Sequence, residues 1–198
     1  VYDFSEDPAG EYVWLSAARE YTEKYPLSLS QVPLETSDDV LTIAKTICNQ
    51  FKTLVEDNGL SKLLYNSNGT PKHESAAQLL FYGIADSYCD ANNIDITKEG
   101  NNGRGPVDFK LSRGATDKVI VETKLTSNPQ LRHGIEIQLP IYMKQEKTKQ
   151  AIYLIIDNGH PKALEHFIAF YNELDKEIKR KISYFIIDAT MRPSASKA

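Results

Sequence analysis

Apolar residues keep helical spacing through the first ninety positions and then switch to alternation. Trp14, Leu15, Ala18, Tyr21 and Tyr25 form one stripe over residues 12–25, and Pro26 stops it. Ser37, Asp38 and Asp39 offer caps for a second helix over residues 37–57, striped by Val40, Ile43, Ala44, Ile47, Cys48, Phe51 and Leu54. Asn58-Gly59 ends it, a short segment follows over residues 60–65, and residues 66–71 are rich in turn formers. The spacing of Ala76, Leu79, Leu80, Gly83, Ile84 and Tyr88 predicts a helix over residues 71–92, with Pro71 in its first turn. Alternation over residues 94–98 and 107–111 and the β-branched run Val119-Ile120-Val121 predict three strands. A helix over residues 131–150 contains Pro140, so a kink or late start is expected there. A buried strand (151–156), an amphipathic helix (161–180), a last strand (182–187) and a tail (193–198) complete the pattern.

The order is helices, then β-β-β-α-β-α-β. Three consecutive strands suggest a meander, and the later strands come with crossover helices, which predicts an α/β fold with a mixed sheet. Residues 1–70 read as a helical N-terminal extension and residues 71–198 as the main domain.

The 198 residues carry a formal net charge of −4, with 41% hydrophobic and 25% charged residues. Those proportions suit a globular domain and exclude a polycation that coats nucleic acid. The charge is uneven: residues 1–70 hold 11 acids against 5 Lys/Arg, and residues 71–198 hold 16 against 18. No apolar run approaches the ~20 residues that span a bilayer. Cys48 and Cys89 are too few for a disulfide framework and read as buried thiols. With no signal peptide visible, a reducing, cytoplasmic setting is expected, and a first residue other than Met suggests a piece of a longer, multidomain chain.

The informative segment is Pro106-Val107-Asp108-Phe109-Lys110-Leu111, followed after a turn by Val119-Ile120-Val121-Glu122-Thr123-Lys124. With residues 114–116 as the turn, Asp108 falls opposite Glu122. Asp108, Glu122 and Lys124 then share one face, and Val107, Phe109 and Leu111 share the other with Val119 and Val121. A bulge at the turn would shift this register by one. Opposed Cβ atoms lie about 5 Å apart, so both carboxylates are within reach of one cation. Facing carboxylates repel unless a cation compensates, and hard oxygen ligands suit Mg²⁺. Charges on one face of a hairpin also suit simple solvation. Against that, residues 119–121 are apolar on both parities, which marks a strand buried on both faces, an expensive place for Glu122 and Lys124.

Pro106-Val107-Asp108 with Glu122-Thr123-Lys124 resembles the PD-(D/E)xK nuclease superfamily, the restriction-endonuclease-like fold. Val107 separates the usual adjacent Pro-Asp pair. Glu74 opens the preceding helix, as an acid often does in that family, and Gln138 and Tyr142 fit the Gln-x-x-x-Tyr signature of some branches. The resemblance covers about residues 72–190 and implies an α-βββ-α-β core. It implies that Asp108, Glu122 and the Thr123 carbonyl bind Mg²⁺, which Mn²⁺ replaces, and that Lys124 is the catalytic lysine. Glu74 would complete the acidic cluster directly or through water, and Gln138 would hold the site or contact substrate. Each also has a plainer account: Glu74 as a helix N-terminal charge, Gln138 and Tyr142 as packing residues.

Residues 98–132 hold seven Lys/Arg and four acids. Arg104, Lys110 and Arg113 are therefore candidate nucleic-acid contacts, and the resemblance adds Tyr142, beside Gln138. The histidines lack zinc spacing, and the 100–105 loop lacks the ending of a P-loop. The expected function is metal-dependent hydrolysis of phosphodiesters in DNA, of the restriction or defence type. A homodimer would serve double-strand cleavage. The alternative is an inactive nuclease fold used for binding nucleic acid or protein.

Overall fold

The computed structural model describes residues 19–20, 22–25, 37–101 and 106–191. Most of the helix expected over residues 12–25 lies outside that set, as does Arg104. Helices α1 (Ser37–Glu56) and α2 (Glu74–Ala91), with a 3₁₀ turn (Leu60–Leu64) between them, precede strands β1 (Asp95–Asn101), β2 (Pro106–Arg113) and β3 (Asp117–Leu125). Next come a short helix α3 (Leu131–His133), a π-helical turn (Gly134–Gln138) and α4 (Leu139–Glu146). Strand β4 (Gln150–Asp157), helices α5 (Pro161–Glu173) and α6 (Lys176–Lys181), and strand β5 (Ile182–Asp188) end the fold.

The five strands form one mixed sheet in the order β1-β2-β3-β4-β5. The first two pairings are antiparallel and the last two parallel. This is the expected α/β class, with a helix, three strands, a helix and a strand in the expected sequence. On one face α1 and α2 pack Ile47, Phe51, Leu80 and Phe81 against Phe109, Val121 and Leu154. On the other face the crossover segments pack Ile135, Leu139 and Phe167 against Ile120, Tyr153 and Ile155. Strands β3 and β4 thus contribute to both cores, as fully apolar runs must. Both parallel crossovers lie on the same side, as a uniform hand of connection requires.

Helix α1, placed by the sequence in the N-terminal extension, shares its core with the sheet: Phe51 meets Phe81 edge-on at 5.4 Å, and Phe81 lies 5.1 Å from Phe109. Cys48 and Cys89 are buried and unpaired, and burial pushes the Cys89 thiol up to about 12.

Three boundaries differ from the pattern reading. Pro71 does not open α2; it forms an isolated β-bridge with Tyr65, and the helix starts at Glu74, where the His73 ring caps the Ser75 N–H. The single helix expected over residues 131–150 is broken. Pro140 has no N–H to donate, and the turn before it widens so that the Leu139 N–H donates to the Gly134 carbonyl. The helix expected over residues 161–180 divides at Leu174, and the Asp175 side chain caps α6 by accepting from the Glu177 N–H at 2.7 Å. The amphipathic stripe runs through this break, so apolar spacing alone does not mark it.

Candidate active site

Strands β2 and β3 pair with Phe109 opposite Val121, Lys110 opposite Ile120 and Arg113 opposite Asp117. The register is the expected one, set by a three-residue turn in which Gly114 takes φ +67°. The ladder stops at Phe109–Val121, one residue short of Asp108 and Glu122. The strands fork there, and the Asp108 carboxylate enters the fork, where Oδ2 accepts the Thr123 main-chain N–H at 2.6 Å. The fork changes one expectation. Phe109, Leu111, Val119 and Val121 share a face as predicted, but Val107 packs in the opposite core with Ile120 and Leu139. Strict alternation fails where the ladder ends, because nothing then fixes the pleat of β2 against β3.

Helix α2 brings two further side chains to the fork. Glu74 stands in its first turn, where the helix dipole favours a carboxylate. Its Oε2 accepts from the Leu125 N–H at 3.1 Å and from Asn128 Nδ2 at 2.9 Å, and its Oε1 accepts from Lys124 Nζ at 3.3 Å. One turn on, Gln78 Nε2 donates to Asp108 Oδ1 at 2.9 Å. Lys124 Nζ also meets Glu122 Oε1 at 2.7 Å. Asp108, Glu122 and Lys124 are all buried, and Thr123 between them is fully so.

Three carboxylates and one ammonium therefore share a largely dry space. Burial, then the nearby Glu122, holds the Asp108 carboxyl well above its ordinary range. Burial also raises Glu122, opposed by Lys124. For Lys124, the carboxylates outweigh desolvation and raise it, so it stays an ammonium. Glu122 Oε2 is buried with no hydrogen-bond partner, and so are Thr123 Oγ1 and Gln138 Oε1. Tyr142 is buried on α4 and sits in the field of the same groups: burial raises its hydroxyl first, then Glu122.

Excess negative charge and an orphaned carboxylate oxygen are what a hard divalent cation would relieve. The donor set is all oxygen, which fits Mg²⁺ or Mn²⁺ and not zinc. Among the described residues no group of three or more His, Cys, Asp or Glu is arranged to hold a metal ion. Main-chain oxygen and water would thus complete a shell begun by two carboxylates.

The candidate nucleic-acid contacts separate. Lys110 pairs with Glu146 on α4 at 3.2 Å, and Arg113 keeps Nη1 buried without a hydrogen-bond partner. Arg113 stands at the turn end of the hairpin, and Lys110 on the rung next to Phe109–Val121. Gln78 and Asn128 escaped the sequence reading. Gln78 had a signal, since Glu74 and Gln78 are one helical turn apart on the face that meets the carboxylates.

Comparison with solved structures finds the restriction endonuclease PspGI in complex with substrate DNA, at 12% identity and a TM-score of 0.38 over 93% of each chain. No curated protein matches the sequence. A family model described as a domain of unknown function (DUF8371) matches residues 40–160, a span running from α1 through β4 and including every residue of the fork. The chain belongs to that family.

Proposed function

We propose that the protein is a metal-dependent nuclease that hydrolyses phosphodiester bonds in DNA. The observation that carries this reading is the buried fork itself: Asp108, Glu122 and Lys124 at the end of the β2–β3 ladder, with Glu122 Oε2 unpartnered. Asp108, Glu122 and the Thr123 carbonyl would hold Mg²⁺ or Mn²⁺. The Thr123 N–H points at Asp108, and in a ladder a residue's N–H and C=O face the same neighbour. Such an ion supplies Lewis acidity and lowers the pKa of water.

The chain's own groups do the rest. Lys124, an ammonium held by Glu122 and Glu74, orients the attacking water and neutralises charge developing on the phosphoryl oxygens. Glu74 positions Lys124 while fixing the Leu125 N–H, so β3 cannot drift from α2. Gln78 fixes the Asp108 carboxylate. Gln138, at the end of the π-turn, and Tyr142, on α4, would wall the site. Cutting both strands would take two such sites, supplied by a homodimer.

One observation favours a second reading. Lys124 already neutralises Glu122, and both Asp108 oxygens are hydrogen-bonded, so the network holds together by itself and suits a binding module. Incubation with plasmid and linear DNA in Mg²⁺ or Mn²⁺ decides. Cleavage that EDTA abolishes and that is lost in Lys124→Ala and Asp108→Ala supports the nuclease. Cleavage unchanged in both variants rejects this site, and salt-dependent DNA binding without cleavage favours the module.

A further inference from the structure

Beyond the fork, the loops after β3 and β4 frame a groove of about 650 Å³, lined by Ser127, Asn128, Arg132, His160, His166 and Phe170 among others. Ligands of open α/β sheets favour this place, outside the carboxyl ends of parallel strands. No Asp or Glu is among its lining residues. The loops that frame it are held in place: Asn158 Oδ1 accepts from the Ser127 N–H at 3.1 Å, and Asp157 Oδ1 accepts from the Gly159 N–H at 3.0 Å. On one wall the Arg132 guanidinium lies 4.1 Å from the centre of the Phe170 ring, with Nε paired to Glu136 at 3.1 Å. The Arg132 side chain remains 64% exposed, so the outer face of its plane is open to a stacking partner.

This groove adjoins the catalytic cluster. A second groove of about 520 Å³ shares Ser127, Asn128, Pro129 and His160 with it and is also lined by Glu74. Asn128, which donates to Glu74, is the partition between the two. Cationic and hydrogen-bond-donating side chains, a stacked guanidinium and an acid-free lining match a nucleic-acid strand, whose phosphates need donors and whose bases need a flat surface.

We infer that the groove carries the substrate strand next to the scissile phosphate, with an unpaired base stacked on Arg132 over Phe170 and phosphate against His160 and His166. The inference rests on the nuclease reading and specifies where the strand lies and that a base there is unpaired. The test is anisotropy of a fluorescein-labelled single-stranded oligonucleotide and of its blunt duplex, with Ca²⁺ replacing Mg²⁺ so that binding is read without turnover. Arg132→Ala should weaken single-strand binding about tenfold or more, through loss of the stacking plane. Arg132→Lys should still lose affinity, because the charge remains and the plane does not. The blunt duplex should be affected less, and Lys181→Ala should leave both unchanged. Circular dichroism of the variants guards against misfolding. If Arg132→Ala and His166→Ala bind the single strand as tightly as wild type while wild type cleaves DNA, the groove is not the path and the nuclease reading survives. If wild type neither binds nor cleaves, both fall. If Arg132→Ala weakens binding but Lys124→Ala cleaves normally, the groove stands and the proposed catalytic site falls.

Discussion

The carboxylate of Asp108 takes the place of a main-chain acceptor: it holds the Thr123 N–H at 2.6 Å where the β2–β3 ladder has ended. A side chain that completes a broken ladder is structural, yet this one lies beside Glu122 and is held well above the ordinary carboxylate range, first by burial. The same group thus serves the fold and strains it, a conflict typical of functional positions.

Asp108→Asn separates those roles. Asparagine keeps an acceptor for the Thr123 N–H and removes a buried charge. In EDTA the variant should be more stable than wild type by about 1 kcal/mol at neutral pH, and it should not cleave DNA. The pH sign follows from the raised carboxyls. Both bind protons more tightly folded than unfolded, so wild-type stability falls as pH rises from their ordinary values through their folded ones. Asp108→Asn should fall less steeply over that window. Urea titrations at pH 5 and pH 8 measure this, and equal slopes would remove Asp108 from the account.

Metal should reverse the strain. A cation that binds only the folded state stabilises it by about 2.7 kcal/mol at a hundredfold excess over Kd. Mg²⁺ or Mn²⁺ should therefore raise the melting temperature of wild type, and Asp108→Asn should blunt the rise. Lys124→Ala should keep it, because removing a buried cation leaves the acids less compensated. A rise of equal size in Asp108→Asn would place the ion elsewhere.

The residue pattern carried the sheet well, since alternation and β-branched runs report burial directly: residues 119–121 read as buried on both faces, and they are. The hairpin register was legible because a glycine-bearing turn leaves few pairings for Asp108 and Glu122. The fork was not legible. Where Asp108 replaces a ladder partner, side-chain geometry decides, and Val107 consequently turned to the other core. Gln78 and Asn128 were missed for a similar reason: an amide carries no pattern until the helix and loop that present it are placed. The π-turn depended on Pro140, whose missing N–H marks a disturbance and does not say what form it takes.

Glu74 links α2 to the end of β3 through three hydrogen bonds, two of them to Leu125 and Asn128. Glu74→Ala leaves the Leu125 N–H and part of the Lys124 charge without an acceptor in a nearly buried setting, and should cost about 2–4 kcal/mol. Glu74→Gln retains an acceptor for Leu125 and should cost less than half of that. Because Lys124 is then held by Glu122 alone, cleavage should drop in both variants even where folding is intact. Chemical denaturation and cleavage assays on the same preparations test the two effects. A Glu74→Ala loss below about 0.5 kcal/mol would mean that the link contributes little beyond ordinary surface contacts.

The short helix α3 that leads into the π-turn is held against the sheet by Tyr153, whose hydroxyl donates to the Leu131 carbonyl at 2.6 Å. A Cβ on Gly134 would lie 2.2 Å from that hydroxyl and 3.0 Å from the ring carbon bearing it. Gly134→Ala therefore forces the π-turn away from β4 and should cost about 1–3 kcal/mol, as overpacking does. Tyr153→Phe loses one buried hydrogen bond, about 1 kcal/mol. The double variant should be more stable than the two separate losses predict, because phenylalanine removes the atom that a Gly134→Ala methyl strikes. The coupling should be about 1 kcal/mol, and no more, since the 3.0 Å contact remains. A double-mutant cycle by urea denaturation measures it. Strict additivity would show that the turn yields in some other direction, and Tyr153 would then not fix the segment carrying Gln138 and Tyr142.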